Sequence, residues 1–220
     1  MLEEIHFLHI GKNAGTHFAH IARQVNKQNR RVQIRVRRHD VRLKDLEQND
    51  RYIFSIRSPE TRFMSGFYSR KRKGLPRIYS EWSRHEQRAF LYFEHANDLA
   101  EALFDDGVCG HNALCAIKSI FHCSMDQIGW FDCSGYFLEI NPPVCIIRQE
   151  KFENDVRAFL TRIGVDSGVL FSTDPVARHS NDYSLVPELS EKAQNNLYNW
   201  YRQDYEFYRM CEAWIESDCL

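Results

Sequence analysis

The sequence predicts an α/β protein whose central, mostly parallel sheet is flanked by helices in three layers. Two observations lead to this fold class. Short apolar or alternating runs, typical of strands, are followed by longer segments with apolar residues at helical spacing, and this alternation recurs along most of the 220 residues. The first of these runs also ends in a glycine-containing turn that leads directly into a helical segment.

The first strand and the first helix have the clearest pattern. Residues 5–10 are apolar and alternating, as in a short buried strand. Gly11 and Gly15 bracket a turn, and Thr16 opens a helical pattern that continues to Val25. We therefore expect a strand, a tight loop and a helix in direct succession.

Two further strands are predicted before the next helix. Residues 32–37 alternate apolar and basic side chains, and residues 52–56 form an apolar run that is closed by Arg57. Ser58 and Pro59 then mark a helix start, because serine caps a first turn and proline fits the first helical position.

The rest of the chain is predicted to be mainly helical. Helices are expected over 59–73, 86–95, 97–104, 112–120, 150–163 and 190–214 (the last as one long helix or a pair), and strands over 136–138 and 144–147. No internal repeat or linker interrupts this order. We therefore expect a single domain over residues 1–220.

Composition and charge exclude several classes of protein. A hydrophobic content of 43% with 13% aromatic residues is typical of a folded chain, and a net charge of −1 gives no argument for nucleic acid. No apolar run approaches the length of a membrane span, and the first strand begins too early for a signal peptide. We expect no membrane and no nucleic-acid partner.

Basic residues are nevertheless clustered. One cluster lies over residues 30–42 and another over residues 70–77. Such clusters are either solvated surfaces or contacts for an anionic ligand, and both interpretations stay open.

The cysteines indicate a reducing compartment. There are seven of them and no CxxC pair, which favours free thiols in a cytoplasmic protein. Zinc binding by Cys109, His111, Cys115, His122 and Cys123 is an alternative, but their spacings fit no standard structural zinc pattern. We expect no metal.

The loop after the first strand has the composition of an anion cradle. Glycines allow backbone N–H groups to approach a phosphate, the helix N-terminus adds unpaired donors, and Lys12 adds a full charge. A strand, such a loop and a helix in succession predict a P-loop-like fold. In a Walker loop, however, lysine directly precedes the hydroxyl residue, whereas Lys12 lies four residues before Thr16. The order disfavours an ordinary ATPase or GTPase.

A second motif follows the third strand. Arg57 lies at the strand end, and Ser65 lies in the second turn of the next helix, about 9 Å further along its axis. An arginine fork and a hydroxyl placed in this way can hold one phosphate from two sides. For either residue alone, a helix cap with a solvated arginine explains the pattern equally well.

Together the two motifs resemble those of sulfotransferases that use 3′-phosphoadenosine 5′-phosphosulfate (PAPS). The resemblance is closest to the carbohydrate, Golgi-type branch, whose motifs read like His-Ile-Pro-Lys-Thr-Gly-Gly-Thr and Arg-Asp-Pro-x-x-Arg-Phe-x-Ser-x-Phe/Tyr. This chain has His-Ile-Gly-Lys-Asn-Ala-Gly-Thr at 9–16 and Arg-Ser-Pro-Glu-Thr-Arg-Phe-Met-Ser-Gly-Phe at 57–67. It is similar to a short, soluble member of that family.

The resemblance implies specific contacts with the donor. Those to the 5′-phosphosulfate are expected from the first loop: Gly11, Lys12, Asn13, Ala14, Gly15 and Thr16. Arg57 and Ser65 are expected to hold the 3′-phosphate, and Arg178 is a further candidate for phosphate or acceptor contact. Gly11 replaces a proline and Ala14 a glycine of the family pattern, so Ala14 must tolerate the backbone angles of the loop.

His39 is the first candidate for the general base. His39 follows the second strand and should face the same crevice as the loop, and its imidazole titrates in the useful range. A surface histidine within a basic run is the alternative. Asp40 either orients His39 or caps the next turn, and His9 is expected to pack or to bond to backbone.

The predicted function is transfer of a sulfuryl group from PAPS to a hydroxyl of a carbohydrate or other small acceptor, releasing 3′,5′-adenosine bisphosphate. Lys12 would stabilise the leaving oxygen, and the segment 74–135 would shape the acceptor site. The basic segment 70–77 hints at an anionic glycan. The alternatives are a non-catalytic anion- or glycan-binding module and a small-molecule kinase, although a kinase needs an acidic Mg²⁺ ligand where the third strand ends in Arg57.

Overall fold

The computed structural model describes residues 2–131, 135–165, 169, 171 and 183–218. The chain divides into two compact units. The first, here called the sheet unit, comprises Met1–Arg57, Gln127–Ser180 and Phe207–Leu220, and the second, the helical unit, comprises Ser58–Asp126 and Asn181–Glu206. Among the described residues, no helix is both long and apolar enough to cross a membrane.

Four strands and nine helices are assigned within the described residues. In chain order they are β1 (Glu3–Leu8), α1 (Gly15–Gln28), β2 (Val32–Val36), β3 (Arg51–Ile56), α2 (Pro59–Lys71), α3 (Arg84–Tyr92), α4 (Ala96–Ala102), α5 (Gly107–Ser119), α6 (Phe137–Ile140), β4 (Cys145–Arg148), α7 (Phe152–Arg162), α8 (Glu191–Trp200) and α9 (Arg202–Asp218). Single 3₁₀ turns occupy Leu43–Asp45, Ile128–Trp130 and Gln149–Lys151.

The four strands form one parallel sheet in the order β2-β1-β3-β4. Ile5 pairs with Ile34 on one side and with Arg51 on the other, so β1 is an inner strand, and β3 is the second inner strand. Inner strands of a parallel sheet are buried on both faces, which explains why Ile5–Leu8 of β1 and Tyr52–Ile56 of β3 are all buried. The predicted α/β fold class is confirmed.

Helices cover both faces of the sheet within the sheet unit. Alternate residues such as Phe7 and Ile53 pack with α1 and α7 on one face. On the opposite face, Phe54 contacts an aromatic cluster of Phe131, Phe137 from α6 and Phe207 from α9, with the Phe54 and Phe131 ring centroids 4.4 Å apart. The sheet is therefore the middle of three layers.

The sequence prediction was wrong for the strand over 136–138. Tyr136 lies in a turn and Phe137–Ile140 is the helical turn α6. A run of three apolar residues does not distinguish a strand from a helix, and here the position of Phe137 in the aromatic cluster decides. The predicted helix over 190–214 is confirmed as a pair, α8 and α9, which is interrupted at Tyr201.

The helical unit has its own core of apolar residues from α2, α3, α4, α5 and α8. A buried ion pair joins two of these helices, because the Arg70 guanidinium donates to both carboxylate oxygens of Glu86 at 2.6 and 2.9 Å. Glu86 also accepts from the backbone of Ser83 and so caps α3. Arg70, one of the clustered basic residues over 70–77, is therefore a structural residue.

A buried histidine makes the stability of the sheet unit dependent on pH. His6 on β1 is only 3% exposed, and its Nδ1 accepts a hydrogen bond from Arg37 Nε at 2.9 Å. Its proton is therefore on Nε2, which faces the carboxylates of Glu4 and Asp50. Burial, followed by the charge of Arg37, lowers the pKa of His6.

We predict that His6 lowers the unfolding free energy of the protein in acid. The unfolded chain takes up a proton near pH 6.5 and the folded chain does so only at lower pH, so the stabilisation is complete above about pH 6.5 and is lost as the pH falls through and below that value. Urea unfolding from pH 8 to pH 5 should show a smaller loss of unfolding free energy in His6→Gln than in the wild type. Parallel pH profiles for the two proteins would contradict the assignment.

Candidate functional site

The loop between β1 and α1 has an unusual backbone. Lys12 and Ala14 both lie in the left-handed region, with φ of 71° and 60°. This region costs a residue with a Cβ about 1–2 kcal/mol, and such strain persists only where neighbouring contacts fix the conformation. Ala14 stands where the family pattern has glycine, and it does adopt the conformation that glycine would favour.

Asn13 provides those contacts. Its side chain is fully buried, and Nδ2 donates to the carbonyl oxygen of Ser55 on β3 at 2.7 Å and to Oε1 of Gln127 at 2.5 Å. The Ser55 hydroxyl donates in return to the Asn13 carbonyl oxygen. The loop is thus held against the neighbouring strand by side-chain bonds in both directions.

Gln127 extends this network to Arg57. Its Oε1 accepts from the Arg57 amide at 3.1 Å and its Nε2 donates to the Arg57 carbonyl at 2.8 Å, which fixes the backbone at the end of β3. The Arg57 side chain then donates from Nη1 to the Lys12 carbonyl at 3.2 Å. The arginine of the second motif is therefore in direct contact with the loop of the first.

The side chain of His9 lies directly over Gly15. A Cβ at Gly15 would lie 2.0 Å from Cδ2 of His9, far closer than any real contact. The His9 ring in turn packs against the His39 ring, with centroids 3.9 Å apart. Two imidazoles therefore lie together beside the first residue of α1.

His39 has a defined tautomer. Its Nδ1 lies 2.9 Å from the carbonyl oxygen of His9, and because a carbonyl only accepts, Nδ1 carries the proton. In the neutral ring the lone pair is then on Nε2, which makes no hydrogen bond with any described residue. His39 is exposed, so Nε2 is available to take a proton. Asp40 pairs with Arg38 at 3.2 Å and is not the partner that orients His39.

The N-terminus of α1 is suited to an anion. Its N-cap residue Ala14 provides no side-chain cap, and the first turn contains no acidic residue. The first N–H groups of a helix have no partner within the helix, and together with the helix dipole they favour a negative charge. Thr16 lies in this turn and is half-buried.

The structure brings most predicted site residues together. Gly11, Lys12, Asn13, Ala14, Gly15, Thr16, His39 and Arg57 all belong to the sheet unit, at or just after the carboxyl ends of β1, β2 and β3. Ser65 belongs to α2 of the helical unit, where it is buried. Arg178 lies outside the described residues.

The sequence did not predict the contacts that hold this loop. Asn13 lies in the loop that is expected to contact the ligand, and its side chain is turned inward to Ser55 and Gln127. Ser55 could have been identified from the sequence, because it is a polar residue within the apolar run of β3. No pattern in the sequence indicates Gln127. It lies in a segment without a recognised motif, and its partner Asn13 is 114 residues away in the sequence.

The basic residues are partly neutralised. Lys71 pairs with Glu94 and Lys73 with Glu81, both at 2.6 Å. Hydrogen bonds from Lys73, from the Tyr79 hydroxyl and from the Trp82 amide lower the pKa of the Glu81 carboxyl to about 2. With Arg70 bound to Glu86, this segment gives little support for an anionic acceptor. Within the described residues, no group of three His, Cys, Asp or Glu side chains is arranged to hold a metal ion.

Comparisons with protein-family models, curated proteins and solved structures find no match to this chain.

We predict that Asn13→Ala loosens the loop. Loss of two buried hydrogen bonds should lower the unfolding free energy by about 2–4 kcal/mol and speed amide hydrogen exchange over residues 11–14. Asn26→Ala is the matched control, because Asn26 makes two bonds to the Ile34 backbone elsewhere in the sheet unit. It should destabilise the protein without this local effect. Equal loop exchange in both variants would contradict the role of Asn13.

Ala14→Gly should have the opposite effect on stability. Glycine removes a left-handed penalty of about 1–2 kcal/mol and loses about 0.5–1 kcal/mol through its greater freedom in the unfolded chain. A net gain of roughly 0.5 kcal/mol is expected in urea unfolding. Ala22→Gly, in the middle of α1, should instead destabilise the protein, and a loss of stability in both variants would argue against strain at Ala14.

Proposed function

We propose that the protein is a PAPS-dependent sulfotransferase that transfers a sulfuryl group to a hydroxyl of a carbohydrate or other small acceptor. The observation that carries the proposal is the contact between Arg57 and the Lys12 carbonyl, since it joins the two motifs that resemble this family. The proposal also includes a cytoplasmic location, supported by the five described cysteines, all of which are free thiols.

The hydrogen-bond donors and the positive charges of the site fit a nucleotide with two phosphate groups. The uncapped N-terminus of α1 offers backbone N–H groups, Gly15 lets the chain pass close beneath His9, and Lys12 and Arg57 add two cations. Oxyanions are the ligands that such donors select. When bound, PAPS would supply the activated sulfuryl group.

Lys12 and the first turn of α1 have the charge-stabilising role in this mechanism. Sulfuryl transfer resembles phosphoryl transfer, in which catalysis is mostly positioning and electrostatic stabilisation. Lys12 would neutralise charge that develops on the leaving oxygen, and Thr16 with the loop amides would hold the 5′-phosphate. Asn13 acts one step away, because it fixes the loop that presents these groups.

Arg57 and Ser65 are assigned to the 3′-phosphate through the family resemblance. The backbone of Arg57 is fixed by Gln127, so its side chain starts from a rigid strand end. Ser65 lies in the second turn of α2, whose start is set by the Ser58 cap and by Pro59.

His39 is proposed as the general base. The bond from Nδ1 to the His9 carbonyl leaves Nε2 as the proton acceptor, as a base that removes the acceptor's hydroxyl proton requires. The His9 ring supports one side of His39 and so limits its rotation. His9 is assigned a positioning role.

We predict that 3′,5′-adenosine bisphosphate stabilises the protein. At a ligand concentration about 100 times Kd, the stabilisation is about 2.7 kcal/mol, which corresponds to a Tm increase of roughly 5–10 °C for a chain of this size. ATP with Mg²⁺ should give a smaller increase. A kinase would show a larger Tm increase with ATP and Mg²⁺ than with the bisphosphate. The absence of a Tm increase with the bisphosphate would refute the proposal.

Lys12→Ala should reduce this ligand-induced shift, because it removes one full charge from the phosphate site. Lys27→Ala, at the opposite end of α1, is the matched control and should leave the shift unchanged. Each shift is measured against the ligand-free Tm of the same variant, so a change in basal stability does not affect the comparison. Equal shifts in both variants would remove Lys12 from the site.

His39→Gln should separate binding from turnover. Glutamine can still donate to the His9 carbonyl but cannot take a proton at neutral pH, so turnover with labelled PAPS and a panel of hydroxyl acceptors should fall by about 100-fold or more. The bisphosphate-induced shift should be preserved. His20→Gln on α1 serves as the control, and retained turnover in His39→Gln would eliminate His39 as the base.

A further inference from the structure

A groove of about 110 Å³ lies on the helical unit between α3 and α5. Its ionisable lining is basic or neutral and contains no carboxylate, and it includes one thiol. The polar lining consists of His85, Arg88 and Tyr92 from α3 and His111, Asn112, Cys115 and Ser119 from α5. At about 30 Å³ per water molecule, the volume suits a few waters or one carboxylate-bearing arm of a small molecule.

The thiol in this groove has a histidine partner. Cys115 and His111 lie four residues apart on one face of α5, and the Cys115 Sγ and His111 Nε2 atoms are 3.6 Å apart. A thiol is a nucleophile only as its thiolate, and an adjacent imidazole that accepts the proton favours that form. Both residues are exposed, so a small molecule can reach the sulfur.

Asn112 gives an independent indication of a ligand. The residue is only 8% exposed and lines the groove, yet its side chain makes no hydrogen bond with any described residue. The polar atoms of this carboxamide are not fully buried, so they are accessible from the groove. Its amide is thus available to a polar group that enters the groove.

We propose that this groove binds a small, carboxylate-bearing disulfide and that Cys115 forms a mixed disulfide with it. Arg88 would attract the carboxylate, and Asn112 would hydrogen-bond to it. The proposal is independent of the sulfotransferase assignment, because no residue of the groove is assigned to the phosphates, the leaving oxygen or the general base.

The exchange step is balanced without another reactant. The Cys115 proton passes to His111 Nε2, and the thiolate attacks one sulfur of the incoming disulfide. The new bond joins Cys115 Sγ to that sulfur, the original S–S bond breaks, and the leaving thiolate takes the proton from His111. One protein thiol and one disulfide become one mixed disulfide and one free thiol.

Cys109 provides an internal reference. It is exposed on the same helix but is not among the residues that line the groove. The two thiols can therefore be compared within one folded molecule, and the test needs no substituted protein.

The test is a comparison of modification rates at Cys115 and Cys109, resolved by peptide mass spectrometry. With the dianionic disulfide dithiobis(nitrobenzoate), Cys115 should react about ten times faster than Cys109. With the neutral dithiodipyridine the ratio should be smaller, since attraction by Arg88 no longer contributes. Equal rates at the two cysteines with both reagents would overturn the proposal.

Two substitutions separate the parts of the site. Arg88→Gln should slow the reaction of Cys115 with the dianionic reagent several-fold and leave its reaction with the neutral reagent unchanged. His111→Gln should slow both. If Arg88→Gln affects the two reagents equally, the groove does not select an anion, and that part of the proposal is wrong.

Discussion

The bond from the Asn13 carboxamide to the Ser55 carbonyl is the contact on which the candidate site depends. It holds a loop with two left-handed residues, and the return bond from the Ser55 hydroxyl closes the pair. Both residues are fully buried, so neither exchanges these bonds for water. The direction of α1, and with it the position of its first amides, follows from this anchor. Gln127 adds the end of β3 to the same network, so that loop and strand form one rigid support.

The order of the strands makes this anchor possible. In the order β2-β1-β3-β4, β1 has β2 on one side and β3 on the other, and all strands are parallel. Residues that follow the three strands, such as His9, His39 and Arg57, therefore meet at one edge of the sheet, where ligands of α/β proteins bind. Helices bury both faces of the sheet, whereas His9 and Arg57 at this edge are half-buried and His39 is exposed. The site is a consequence of topology as much as of its motifs.

The sequence predicted most of the fold because its strands and helices have strong local patterns. Three apolar residues at 136–138 were too few to distinguish a strand from a helix. The positions of the loop after β1 and of Arg57 after β3 follow from local patterns, and the sequence predicted them. Other features depend on long-range packing and were not predicted: the inward side chain of Asn13, the bridging role of Gln127 and the close contact of His9 with Gly15. Composition also does not distinguish a solvated arginine from Arg70, whose charge is neutralised by Glu86, 16 residues later in the sequence.

The central claim is that the loop and Arg57 form a site for two phosphates of one nucleotide. Calorimetric titration with 3′,5′-adenosine bisphosphate and with adenosine 5′-monophosphate tests it directly, because the two ligands differ only in the 3′-phosphate. A charge-assisted hydrogen bond contributes about 1.5–3 kcal/mol, so loss of the 3′-phosphate should weaken binding by roughly tenfold or more in the wild type, and by much less in Arg57→Ala. Equal affinity of the wild-type protein for the two nucleotides would contradict the claim.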